Sequence, residues 1–198
     1  MRAVWDRAIE VAAIAAFGLF TGFLAWQCRA ALAQVWIAVP CAIAGYLAAD
    51  VASGLVHWMC DNCFAEDSPL IGGMLIQPFR DHHRDPLGIT THGFLELCGN
   101  SCLGLLPALA AVVCLGDRLP ALLQAGFLFF CLAMFATNQF HQWAHAPAVP
   151  QAVRWLQKHR VILSPASHQA HHRTVNGGAY CITSGWMNRP LDRILGIR

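Results

Sequence analysis

Four apolar stretches of bilayer-spanning length, at residues 8–28, 32–57, 97–115 and 120–140, decide what this chain can fold into. In hydrocarbon every backbone N–H and C=O must be paired within the protein, and a run of about 20 apolar residues achieves this as one helix. The predicted fold class is an all-α integral membrane protein with about four transmembrane helices. Composition agrees: of 198 residues, 57% are hydrophobic and 12% charged, too apolar for a soluble domain of this length. One membrane-embedded domain, residues 1–198, is expected, because no linker, low-complexity tract or internal repeat divides the chain. A net charge of +2 gives no reason to expect a nucleic-acid partner. The first stretch follows a short basic N-terminus, but it has full span length, lacks a small-residue cleavage site and leads at once into a second span. It is therefore expected to be a membrane helix and not a signal peptide.

The basic residues orient these spans. Arg29 and Arg118 lie in the two short connections, whereas the other 11 of the 13, from Arg2 and Arg7 through Arg80, Arg84, Arg154, Lys158, Arg160, Arg173, Arg189 and Arg193 to Arg198, share the opposite side. By the positive-inside rule that side, carrying both termini, is cytosolic. Residues 61–96 are expected to be a long polar loop on it, and everything after His141 a polar tail. Trp5, Trp36, Trp143 and Trp155 are expected at interfaces.

The same topology collects all ten histidines on the cytosolic side. Nine of them cluster: His57; His82, His83 and His92; His141 and His145; His168, His171 and His172. His141 and His145 share one helical face, as do His168 and His171 or His172, and so can aim imidazoles at one ion. His57 and Asp61 repeat the relation at the end of the second span, with Asp50 two turns earlier. Adjacent His82 and His83 cannot point the same way on a helix, so they suit two neighbouring ions, or one ion and a hydrogen bond. Nine imidazoles exceed the roughly six positions around one such ion, so two ions are the economical reading. Imidazole-rich, thiolate-free surroundings suit iron, copper, zinc or nickel. Any one of these histidines alone reads as a packed residue; HH, HxxxH and HxxHH on one side together do not. His159, between Lys158 and Arg160, is expected at the surface. Cys60 and Cys63 form a lone CxxC without the second pair that a zinc site needs, and most other cysteines lie in or beside apolar runs as small hydrophobes.

The motifs have a distinctive order. Ala49-Asp50-Val51-Ala52-Ser53-Gly54-Leu55-Val56-His57-Trp58 is followed by Pro78-Phe79-Arg80-Asp81-His82-His83-Arg84-Asp85-Pro86, with Ile89-Thr90 and His92. Then come Asn138-Gln139-Phe140-His141-Gln142-Trp143-Ala144-His145, His168-Gln169-Ala170-His171-His172, and Tyr180-Cys181-Ile182-Thr183-Ser184-Gly185-Trp186-Met187-Asn188. This combination, spanning about residues 49–194, resembles the Kua-type lipid desaturase family. The resemblance implies a diiron centre (two Fe ions) with His57, His82, His83, His92, His141, His145, His168, His171 and His172 as metal ligands and catalytic residues. Asp50, Asp61 and Asn138 are possible supports behind them.

It further implies a phospholipid substrate in the bilayer, O2, and an electron donor such as cytochrome b5 or ferredoxin with its reductase. His92 after Ile89-Thr90, and Leu191-Asp192-Arg193-Ile194 after the last motif, are nearer the branch that converts the sn-1 alkyl ether of plasmanylethanolamine to the vinyl ether of plasmalogen. The other branch desaturates an acyl chain of phosphatidylglycerol. The physical logic agrees: an unactivated C–H bond requires a redox-active metal, and a lipid substrate explains a site beside the membrane. A non-enzymatic metal-binding membrane protein is the rival class, but a transport pathway would carry ligands through the span interiors.

Overall fold

The computed structural model describes residues 4–173 and 177–197, with side chains from residue 7 onward. Arg2 and Arg198, used above for orientation, and the Trp5 side chain lie outside the described residues. Among them the α-helices are α1 (Val4–Gln27), α2 (Arg29–Leu32), α3 (Val35–Asn62), α4 (Gln77–Arg84), α5 (Phe94–Leu115), α6 (Ala121–His145), α7 (Gln151–Lys158), α8 (Pro165–Arg173) and α9 (Asn188–Ile194). There is no strand among the described residues. Four segments are long and apolar enough to cross a membrane: Arg7–Gln27, Val35–Asn62, Phe94–Arg118 and Ala121–His145. The all-α, four-span expectation holds, and the chain is a membrane protein by these helices and by the family established below.

The chain divides into two compact units, Met1–Ala49 with Gly93–Asn138, and Asp50–His92 with Gln139–Arg198. In the first unit α1, α5 and the N-terminal parts of α3 and α6 bury Phe17, Leu24, Leu105, Leu109 and Leu128, and the Phe17 and Phe135 rings stack at 5.3 Å. Lipid tails are as apolar as leucine, so contact between such helices depends on close packing more than on the hydrophobic effect. Gly45 supplies that closeness: a Cβ there would lie 2.5 Å from the Gly126 carbonyl oxygen and 2.7 Å from the Phe130 nitrogen. Leu19, Trp36 and Leu123 point outward, more than 60% exposed, as a lipid-facing surface requires.

The second unit is assembled by polar groups. Asp50, fully buried on α3, accepts hydrogen bonds from four backbone N–H groups, those of Thr183, Ser184, Gly185 and Met187, at 2.7–3.1 Å. A buried carboxylate is costly unless satisfied in this way, so the bonds fold the 183–187 segment around it. Gly54 lets Cys181 and α9 approach α3, because a Cβ would meet Leu191 Cδ2 at 2.6 Å and Cys181 Sγ at 2.7 Å. Arg80 donates to the Cys60 and Phe64 carbonyls, tying α4 to the end of α3.

Two sequence expectations change here. Residues 61–96, expected as loop, contain α4, a π-helical turn (Gly72–Ile76) and a 3-10 turn (Gly88–Thr91), and the expected polar tail contains the end of α6 and α7, α8 and α9. Helices α4, α7, α8 and α9 are 7–9 residues long and mostly polar, too short for an apolar face to stand out from the surrounding loop, and tertiary contacts hold them.

Gly45→Val is expected to destabilise the detergent-solubilised protein by about 1–3 kcal/mol, the usual cost of overpacking, and to lower its melting temperature. Gly18→Ala and Gly104→Ala, where an added Cβ meets nothing within 4 Å, should leave it unchanged.

Candidate metal centre

Eight of the nine clustered histidines converge in the second unit in two groups. One is His82, His141, His145, His168 and His172; the other is His57, Asp61, His83 and His171. Helix spacing explains the partition. His141 and His145 are four apart on the last turns of α6, as are His168 and His172 on α8 and His57 and Asp61 on α3. Adjacent residues on one helix diverge by about 100°. Accordingly His82 and His83 on α4 enter different groups, and so do His172 and His171 on α8.

In the five-histidine group the Nε2 atoms of His82, His141, His168 and His172 form a closed quadrilateral. Its sides are 3.0 Å (His82 to His141), 2.8 Å (His141 to His168), 3.0 Å (His168 to His172) and 3.1 Å (His172 to His82). His145 Nε2 lies 3.1 Å from His82 Nε2. A square of such sides has its centre about 2.1 Å from each corner, the length of an imidazole–metal bond. Hydrogen bonding cannot account for it, since a ring nitrogen carries one proton or one lone pair, yet His82 Nε2 faces three others. Burial, followed by neighbouring imidazoles, lowers the His82 pKa to about 2 and that of His172 to about 3, and lowers His168 as well. These rings are therefore neutral at pH 7 and offer lone pairs. A cavity of about 580 Å³ adjoins this group, with Pro86, Ala144, Pro165 and Ala166 in its walls beside His145, His168 and His172.

The second group adds a carboxylate. Asp61 Oδ2 lies 3.0 Å from His83 Nε2, 3.5 Å from His57 Nε2 and 3.8 Å from His171 Nε2. His83 Nε2 is 3.4 Å from His57 Nε2 and 3.2 Å from His171 Nε2. Two of these rings have an assigned tautomer. His57 Nδ1–H donates to the Tyr180 carbonyl at 3.1 Å and His171 Nδ1–H to the Gly178 carbonyl at 2.8 Å. A carbonyl only accepts, so each proton sits on Nδ1 and each Nε2 lone pair faces the group. Asp61 Oδ1, buried, makes no hydrogen bond. Converging ring nitrogens in both groups, and an unsatisfied carboxylate oxygen in the second, fit a bound cation in each. Softness excludes none of iron, zinc or copper, while the nitrogen-rich set argues against calcium or magnesium.

The other candidates lie elsewhere. His92 is exposed after the Gly88–Thr91 turn and stands in neither group; its carbonyl accepts from Gln142 Nε2 at 2.9 Å. The turn ends in extended backbone at His92, which leads the chain on into α5. Asp50 organises the 183–187 segment, and Asn138 donates to the Leu97 carbonyl and Ser101 Oγ. Asp61, expected behind the histidines, stands within one of the two groups. His159 is exposed, its ring 4.5 Å from that of Trp155, and neither Cys60 nor Cys63 enters a group. Sequence reasoning passed over the carbonyls of Gly178 and Tyr180, since backbone acceptors leave no mark in residue identity.

Replacing His141 or His172 by Ala is expected to remove bound metal from the five-histidine group, seen as a fall in metal per chain after purification. His159→Ala and His92→Ala should retain the wild-type content.

Comparison with known proteins follows the same residues. The profile of the lipid desaturase domain family matches residues 46–195, across all the motifs above. A Myxococcus xanthus protein named plasmanylethanolamine desaturase is 41% identical over 191 residues, covering 95% of this chain and 68% of its own length. Mouse plasmanylethanolamine desaturase 1 is 41% identical over 160 residues, 77% of this chain and 59% of the mouse protein. The Arabidopsis thaliana protein named fatty acid desaturase 4, chloroplastic, is 36% identical over 158 residues, 75% of this chain and 46% of the plant protein. No solved structure matches. With its motifs, its two ligand groups and its relatives in agreement, this chain belongs to the lipid desaturase domain family.

Proposed function

We propose that this chain is a plasmanylethanolamine desaturase that works as a single membrane-embedded domain, taking one hydrogen each from C1 and C2 of the sn-1 alkyl ether chain to leave a vinyl ether. The observation that carries the reading is the pair of imidazole-rich ligand groups drawn from adjacent residues, His82 with His83 and His171 with His172. One structural zinc would need only four ligands. Iron held in both groups would supply the redox chemistry by which O2, given two electrons and two protons, takes up the two hydrogens. The balance is alkyl ether, O2, two electrons and two protons giving vinyl ether and two waters.

The chain's own residues do the rest. Neutral imidazoles hold the ions without crowding them with negative charge, and Asp61 adds one carboxylate to one group. The 580 Å³ cavity lies against the five-histidine group, so the reacting carbons of the lipid are assigned to it, between the apolar walls of Pro86, Ala144, Pro165 and Ala166. The basic side of the chain, with the termini and the ligand groups, is assigned to the cytosol, where a small electron-transfer protein such as cytochrome b5 or ferredoxin can deliver electrons. Relatives named for the plasmanyl reaction reach 41% identity, against 36% for the chloroplast fatty acid desaturase, which supports the ether substrate over the acyl chain of phosphatidylglycerol.

Cells that make alkyl phospholipid but lack their own desaturase should gain acid-labile vinyl ether lipid when this chain is supplied with a compatible donor. A new acyl double bond in phosphatidylglycerol with no vinyl ether would assign the plant-type reaction instead. Neither product, with iron bound and reducible, would contradict both.

A further inference from the structure

The two rings with a fixed tautomer, His57 and His171, belong to the same ligand group, and each leans on a backbone carbonyl. The other face of each supporting peptide is also engaged. The carbonyl that receives His171 Nδ1–H is that of the Gly178–Ala179 peptide, and the N–H of that peptide donates to the Asp192 carboxylate at 3.1 and 3.3 Å. The carbonyl that receives His57 Nδ1–H is that of the Tyr180–Cys181 peptide, whose N–H donates to Asn188 Oδ1 at 2.8 Å. Asn188 and Asp192 are four apart on α9, so one face of one helix terminates both chains of hydrogen bonds.

The local backbone is bent to make this possible. Gly178 and Ala179 both have positive φ, 89° and 59°, and the second costs an L-residue about 1 kcal/mol or more. That conformation turns the Gly178–Ala179 carbonyl to His171 and its N–H to Asp192. The φ of 89° favours glycine at 178, and a Cβ there would also lie 2.8–2.9 Å from the Asp192 carboxyl atoms and push them aside. Strain of this kind persists where surrounding contacts over-determine it. The five-histidine group contrasts with this arrangement: the buried Nδ1 atoms of His82 and His168 make no hydrogen bond.

We propose that Asp192 and Asn188 are positioning residues for the metal site formed by His57, Asp61, His83 and His171, acting on His171 and His57 through the intervening peptide groups. An acceptor on the peptide N–H polarises the amide and strengthens its carbonyl as an acceptor, and the histidine that donates to that carbonyl becomes a more basic ligand. One relay ends in a charge and the other in a neutral amide, so the two histidines are supported unequally, and this site is tuned apart from the other. The proposal rests on the metal-binding reading above and not on which lipid is desaturated.

The test uses the full chain purified after iron-replete expression, with metal per chain and the reduction potential of the bound iron as readouts. Asp192→Ala removes the acceptor and should weaken one of the two ions on the order of 10- to 100-fold, seen as loss of up to one ion per chain under mild chelation. Asp192→Asn keeps an acceptor oxygen and removes the charge, so both ions should remain while the potential of one rises. Asn188→Asp adds charge to the other relay and should lower it. Arg193→Gln changes charge by the same amount at an exposed position of α9 and should shift neither readout. Opposite shifts in Asp192→Asn and Asn188→Asp, with an unmoved Arg193→Gln, support the relays. Two ions and the wild-type potential in every variant, or equal shifts in Arg193→Gln, overturn this inference and leave the proposed function standing. A wild-type chain that takes up no ion overturns both.

Discussion

Eight imidazoles and one carboxylate aimed inward make an arrangement that a protein cannot hold for its own sake. Nitrogen lone pairs 2.8–3.4 Å apart repel or go unsatisfied unless a cation lies among them. Burial blocks the usual escape, protonation, as the lowering of His82 to about 2 and of His172 to about 3 indicates. The second unit has a smaller apolar cluster, Ala144, Leu163 and Ile182 with Phe140, so free energy of ion binding at the two groups would add to its folding free energy. The first unit depends instead on close helix packing, as at Gly45, and contributes no residue to either group.

Asp50 shows how the sequence prepares the unit for such a task. Its carboxylate gathers four N–H groups of the 183–187 segment on the buried face of α3, seven residues before His57 on the same helix. The rest of that stretch, from Gly178 to Asn188, supplies the carbonyls behind two ligands and meets α9 across Gly54. The orientation of His57 and His171 is thus set by backbone carbonyls, in a stretch held both by polar side chains and by the buried Tyr180, Cys181, Ile182 and Leu191.

This explains which parts were legible in the amino-acid sequence. The spans were, because backbone satisfaction in lipid demands long apolar runs, and α1, α3, α5 and α6 appear where the runs are. The convergence of the histidines was largely legible too, because i,i+4 pairs and adjacent histidines carry direction: HxxxH placed His141 with His145, and the divergence of His82 from His83 left room for the two groups that the fold assembles. Most of what stayed hidden lies in segments too short for a pattern to stand out. Helices α4, α7, α8 and α9 are short and polar and read as loop and tail. Asp61 could be placed beside His57 by spacing, but only the fold brings it to His83 and His171. His92 shares a motif with true group members, yet the extended backbone that follows the Gly88–Thr91 turn leaves it outside.

The central claim is that the second unit holds two nitrogen-ligated irons. It is tested most directly by metal analysis and iron X-ray absorption on protein purified from cells grown with ample iron. The account predicts two irons per chain, with nitrogen-dominated coordination at about 2.0–2.1 Å and a minor oxygen contribution matching Asp61. A single tetrahedral zinc per chain that iron cannot replace, or irons bound mainly through sulfur or oxygen, would contradict it.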